Sequence, residues 1–153
     1  MKDIKVKIKR LSENSKIPQY AHPTDAGMDL YATGVEYDSR SEIVSYNTGI
    51  ALEIPEGYAG FIFPRSSIYK YDLQLTNSVG VIDSSYRGEI KFKFRATDVP
   101  ISKLTNIYNI GDRIGQLIIL PYPKVVFEEV DELQSTDRGD GGFGSTGVKW
   151  QFY

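Results

Sequence analysis

An all-β fold is what the sequence predicts, on three observations. Apolar and charged residues alternate with a period of two at Ile4, Val6 and Ile8 against Lys5, Lys7 and Lys9. The same alternation returns from Glu89 to Arg95, with Ile90, Phe92 and Phe94 facing one way and charges the other, as a strand with one buried and one wet face requires. Turn clusters such as Pro55-Glu56-Gly57-Tyr58 and Asp83-Ser84-Ser85 stand between such runs and reverse the chain. At 153 residues one domain suffices, and a domain of this size buries roughly two-thirds of its unfolded surface.

The first predicted strand spans Ile4 to Ile8. A loop rich in Pro, Ser and Thr follows, carrying the lone His22, which reads as a surface imidazole, and ending in Ala26-Gly27-Met28-Asp29-Leu30. Taken alone, Asp29 there is a cap, a turn residue or a site carboxylate. Ile43 to Ile54 and Tyr58 to Phe63 have strand composition. Pro64-Arg65-Ser66-Ser67 ends the second and opens a short turn or helix through Ile68 to Tyr71. Small hydroxyls and backbone N–H groups beside an arginine suit a phosphate, and a plain Ser cap suits the same residues.

Asn77 to Glu89 is expected to be a β-hairpin whose inner surface is a binding pocket, with Val79, Val81 and Ile82 as strand-forming bulk and Asp83 at the mouth. By spacing alone Asp83 reads as a turn starter, as most Asp residues at such places do. From Asn109 to Ile118 a turn leads into an apolar strand interrupted by Gln116, whose amide needs partners from backbone or ligand. Val125, Val126, Phe127 and Val130 form a last strand candidate, so residues 1–135 are expected to be the β domain and 136–153 a flexible arm. Five of the fourteen glycines lie between Gly139 and Gly147, so the arm should order only on a ligand. Phe143 has no apolar neighbours there and suits a stacking lid.

Composition removes several chemistries. No cysteine is present, which excludes disulfides, thiol nucleophiles and thiolate metal sites, and a single histidine excludes His-cluster metals. A net charge of -2 gives no broad field for a nucleic-acid polymer, while a few Arg and Lys can converge on a small polyphosphate. No uncharged apolar run approaches a membrane span. The charged start Met1-Lys2-Asp3-Ile4-Lys5 has no signal core, so a cytoplasmic location is expected. In the tail, Gly142 to Gly147 spells G-x-G-x-x-G without room for the following helix. Gly142 to Lys149 nearly spells a P-loop but lacks the hydroxyl after its lysine.

Five segments, in order, resemble the five motifs of the trimeric deoxyuridine triphosphatases (dUTPases): AGMDL from Ala26, PRSS from Pro64, GVIDSSYRGE from Gly80, RIGQLI from Arg113 and RGDGGFGSTG from Arg138. The likeness extends from residue 26 to residue 147. Its one mild departure is Ser67, where many members carry Gly. It implies a jelly-roll-like β-sandwich or barrel in a homotrimer, three active sites at subunit boundaries, and cleavage of dUTP to dUMP and pyrophosphate with magnesium (Mg2+).

Residue by residue, it makes Asp83 the base that activates water, as a carboxylate can do without histidine or cysteine. Tyr86 would pack on the deoxyribose and exclude a 2′-hydroxyl. Asn77, the backbone around Gly80, Val81 and Ile82, and Lys91 on the returning strand would bind the uracil edge. Arg65, Ser66, Ser67, Gln116, Arg138, Gly142, Gly144, Ser145 and Thr146 would surround the triphosphate, and Phe143 would stack on uracil. Asp29 would meet the metal through water, the phosphates being its main ligands. A dCTP deaminase of the same fold is the nearest alternative, but its deaminating glutamate corresponds to Lys93 and its second-motif arginine to Lys70. A nucleotide-sensing binding module is the other.

Overall fold

Of the two alternating runs noted above, the one from Glu89 to Arg95 folds largely into a strand and the one from Ile4 to Ile8 does so only in its last two residues. Residues 3–97 and 99–145 are described by the structure, a computed structural model. Among them lie β1 (Lys7–Arg10), β2 (Met28–Tyr31), β3 (Gly34–Asp38), β4 (Ile43–Asn47), β5 (Ile50–Glu53), β6 (Tyr58–Phe63), β7 (Leu73–Leu75), β8 (Gly80–Ile82), β9 (Lys91–Ala96) and β10 (Arg113–Pro121). Two short 3-10 helices, Ser66–Lys70 and Ile101–Lys103, are the helical elements among these residues. No helix of the described residues is long and apolar enough to cross a membrane.

Two four-stranded antiparallel sheets, ordered β2-β10-β6-β8 and β3-β4-β9-β7, share one core, and β1 pairs with β5 in a two-stranded ribbon. Phe92 and Phe94 of β9, Tyr46 and Val44 of β4, and Ile114 and Leu117 of β10 are all buried there. This is a jelly-roll-like sandwich, and the inward set of β9 is the one its period-2 pattern dictates. A Cβ at Gly115 would strike the Phe92 ring and come within 2.8 Å of Phe63 O, so glycine is what lets β10 pack against β9.

Four expectations need correction. Residues 4–6 stay outside β1: its register sets Lys7 opposite Glu53, and the partner chain next reaches Pro55, which has no N–H to donate. The expected single strand from Ile43 to Ile54 is two, broken at Gly49 with φ +66; the break carries the chain from the β3-β4-β9-β7 sheet to the ribbon. Residues 125–130 form no strand. They lie exposed beyond Tyr122, whose N–H still bonds Gly57 O (3.0 Å), because a strand without a neighbouring edge has no ladder to join. Fourth, the ladder of the expected hairpin runs between β7 and β9, while β8 pairs with β6 in the other sheet.

Candidate active site

That last correction explains why a pocket exists. Thr76 donates through both its N–H and its hydroxyl to Lys93 O, each at 3.0 Å, and closes the β7–β9 ladder. Beyond Thr76 the chain leaves for the opposite sheet, where β8 docks on β6 with Val81 opposite Phe61. Gly80 permits this approach, since a Cβ there would overlap the Ile62 side chain. The space between β8 and the start of β9 is a pocket of about 480 Å³ lined by Asn77, Val81, Ile82, Asp83, Tyr86 and Lys91, and also by Thr76, Glu89, Ile90 and Lys93. β8 ends its sheet, so among the described residues one row of its main-chain donors and acceptors has no strand partner and can meet a planar ring.

Asp83 does both things its position suggested. Its carbonyl accepts the Tyr86 N–H at 3.1 Å and forms the turn, while its side chain is exposed at the pocket mouth. Arg87 steadies that turn by donating to Ser84 O (2.6 Å) and Tyr86 O (3.0 Å). The Tyr86 hydroxyl donates to Glu89 O (3.0 Å), and the ring lies so close over Gly88 that any Cβ there would overlap it. Lys91 Nζ stands between Glu36 (3.5 Å) and Glu89 (3.8 Å).

A second cluster forms elsewhere. Gln116 on β10 lies opposite Asp29 of β2 on one side and Phe63 of β6 on the other, which brings Arg65, two residues past Phe63, to Asp29. The Asp29 carboxylate is almost wholly buried and faces two guanidiniums: Arg113 donates to Oδ2 at 3.1 Å, and Arg65 Nε lies 3.2 Å from Oδ1. The second contact is charge attraction without an aligned hydrogen bond, for both atoms are buried polar atoms with no hydrogen-bond partner. Arg113 is a partner that sequence reasoning missed. It opens the RIGQLI run as the one cation of an apolar strand, a signal that gains meaning only from its pairing with Asp29. Ser66 and Ser67 begin a 3-10 helix with Arg65 as N-cap and no side-chain cap bond, so the plain Ser cap is not what forms.

None of Arg65, Ser66, Ser67, Gln116 or Asp29 lines the pocket that holds Asp83. Among the described residues of the arm, none joins either group. Arg138 donates to Gly141 O (2.9 Å), Gly139 N–H bonds Thr136, and Ser145 N–H bonds Gly142 O (3.0 Å); these bonds stay within the arm. Gly142 and Gly144 flank Phe143, whose side chain is fully exposed at φ +52. Thr146 lies outside the described residues.

For a metal, the donor set is sparse. No three His, Asp or Glu side chains converge among the described residues, and both Asp29 oxygens face arginine. Such residues fit a cation carried by the phosphates of a ligand, with no direct protein cage.

A family model described as dUTPase matches residues 13–147. A deoxyuridine 5'-triphosphate nucleotidohydrolase of Thermobifida fusca is 45% identical over 147 residues, covering 94% of this chain and 79% of that protein. One from Gloeobacter violaceus is 40% identical over 151 residues, covering 96% and 99%. Among solved structures, the Staphylococcus bacteriophage 80alpha dUTPase with dUPNHPP superposes with TM-score 0.78 at 29% identity, covering 94% of this chain and 99% of that one. A mutant dUTPase of phage phi11 of S. aureus, which coordinates a structural Mg(II) ion, superposes with TM-score 0.68 at 26% identity, covering 84% and 98%.

Proposed function

The chain belongs to the dUTPase family and is a dUTP diphosphatase, and on that premise we propose that Asp83 activates the water that splits dUTP into dUMP and pyrophosphate, at sites shared between the subunits of a homotrimer. The observation that carries the assignment is an exposed carboxylate at the mouth of a pocket whose wall is a free strand edge. The main chain of Gly80, Val81 and Ile82, with Asn77 and Lys91, would pair with the uracil edge, and Tyr86 would face the sugar. A water at the mouth would lose its proton to the Asp83 carboxylate as it attacks in line with the leaving pyrophosphate.

Arg65, Ser66, Ser67 and Gln116 are proposed to meet the triphosphate, with Arg138, Gly142, Gly144, Ser145 and Thr146 of the arm closing around it and Phe143 stacking on the base. Their separation from the Asp83 pocket within one chain supports a site completed by neighbouring subunits. Asp29 acts chiefly by holding Arg65 in place. Magnesium bound by the substrate's phosphates would supply charge neutralisation there, with Asp29 reaching it through water. Lys93, lining the pocket, leaves no acid where a dCTP deaminase would need its glutamate.

The test is direct. Incubating the protein with dUTP, dCTP, dTTP or UTP and magnesium should release pyrophosphate from dUTP far faster than from the rest. Ammonia from dCTP, or binding of dUTP without pyrophosphate, would refute the proposal.

A further inference from the structure

The Tyr86 wall is held outside any strand ladder, and its fastening leads to Glu89, which lines the pocket without an assigned role toward the nucleotide. The phenol donates to the carbonyl of Glu89 (3.0 Å), so the ring stands where residue 89 stands. Residue 89 is in turn held by its own side chain: Glu89 Oε1 accepts the Gly49 N–H at 2.8 Å, and Oε2 lies 3.8 Å from Lys91 Nζ. Gly49 occupies the β4–β5 break at φ +66, where a Cβ would come within 2.6 Å of Ser12 Oγ and 2.8 Å of Ser15 Cβ. Its N–H is therefore presented from a packed, fixed point of the backbone. The peptide that carries Glu89 O is fastened a second time through its N–H, since Ile90 N–H bonds Ile50 O (3.0 Å), and the Thr48 hydroxyl donates to Ile90 O (2.6 Å); the Glu89 side chain is thus one of two anchors of that carbonyl.

We propose that Glu89 is a positioning residue for sugar selection: by accepting the Gly49 N–H, its carboxylate sets the carbonyl that fixes Tyr86 against the deoxyribose. The inference rests on the assignment of Tyr86 to the sugar wall. A carboxylate makes a stronger bond to a backbone N–H than a neutral acceptor does, and Lys91 keeps its second oxygen from being an unpaired charge. Gly88, just before it, offers no side chain to hold the turn. Without the Glu89 anchor the ring can move off the sugar, and a 2′-hydroxyl finds room.

The experiment measures kcat/KM for dUTP and for UTP in the wild type, Glu89→Ala, Glu89→Gln and Tyr86→Ala. Glu89→Ala should lower the preference for dUTP over UTP about tenfold, read as the ratio of the two kcat/KM values. Glu89→Gln should keep the preference, since its amide oxygen still accepts from Gly49. A wild-type preference in Glu89→Ala overturns the proposal, and so does a Glu89→Gln enzyme as permissive as Glu89→Ala. If Tyr86→Ala itself leaves the preference unchanged, the sugar-wall assignment has failed first. If Tyr86→Ala relaxes it and Glu89→Ala does not, only the present inference fails. Should Glu89→Ala not fold, Tyr86→Phe decides: it keeps the ring, loses the bond to residue 89 and should relax the preference, and an unrelaxed enzyme overturns the proposal.

Discussion

Replacing Asp29 by Asn tests whether the buried carboxylate holds the arginine proposed to meet the phosphates. The change is nearly isosteric, yet it leaves the guanidiniums of Arg65 and Arg113 facing each other with no anion between them. Removing one partner of a buried ion pair costs about 3–5 kcal/mol. Here the full figure does not apply, because the Arg113 and Arg65 side chains keep 46% and 27% exposure and only the Arg113 contact is an aligned hydrogen bond. The expected destabilisation is therefore about 2 kcal/mol. In a chain of this length each kcal/mol moves the midpoint by about 2–4 °C, so Tm should fall by about 4–8 °C at fixed protein concentration. With Arg65 unanchored, KM for dUTP should also rise about tenfold. A double-mutant cycle with Arg113→Gln should return a coupling of about 1 kcal/mol or more. A variant within about 0.5 kcal/mol of wild type and unchanged in KM would show that the pairing matters to neither fold nor site.

Three further outcomes are expected. Asp83→Asn keeps the shape of the turn but removes the proton acceptor, so dUTP should still bind by calorimetry while turnover falls at least about a hundredfold; retention of more than about a tenth of the rate would leave Asp83 as a turn residue. A chain cut after Thr136 and a whole chain carrying Asp83→Asn should each be nearly inactive, yet recover activity once mixed and exchanged, because some boundaries then join an intact Asp83 to an intact arm; mixed trimers confirmed by mass but without activity would refute a shared site. Burial pushes the Tyr108 phenol up to about 12 and raises Tyr46 further. Since the unfolded value is lower, the stability these phenols contribute is complete below about pH 10 and is lost as pH rises through their folded values. An alkaline titration of the tyrosinate absorbance should thus show two of the eleven tyrosines ionising late and together with unfolding.

Much of this molecule is written in local pattern. The inward set Ile90, Phe92 and Phe94 follows from a period of two, and a half-wet strand has no other way to bury its apolar face. The pocket residues from Asn77 to Lys91 are close in sequence, so Asp83 at the mouth of a pocket was legible there, while Tyr86 entered only through the family resemblance and the expected hairpin gave way to pairing with two different sheets. Pairing is what local pattern leaves undetermined. Ile43 to Ile54 has the composition of one strand, but packing around Gly49 breaks it and sends its halves to different sheets. Residues 125–130 have strand composition too and remain exposed, because a strand exists only beside an edge that accepts it. Arg113 and Asp29 lie 84 positions apart, and only the β2–β10 register makes them partners. The same holds for Glu89 and Gly49, whose bond spans 40 positions: residue types and motifs are properties of the chain, but which carboxylate holds which N–H is decided by how the sheets close on each other.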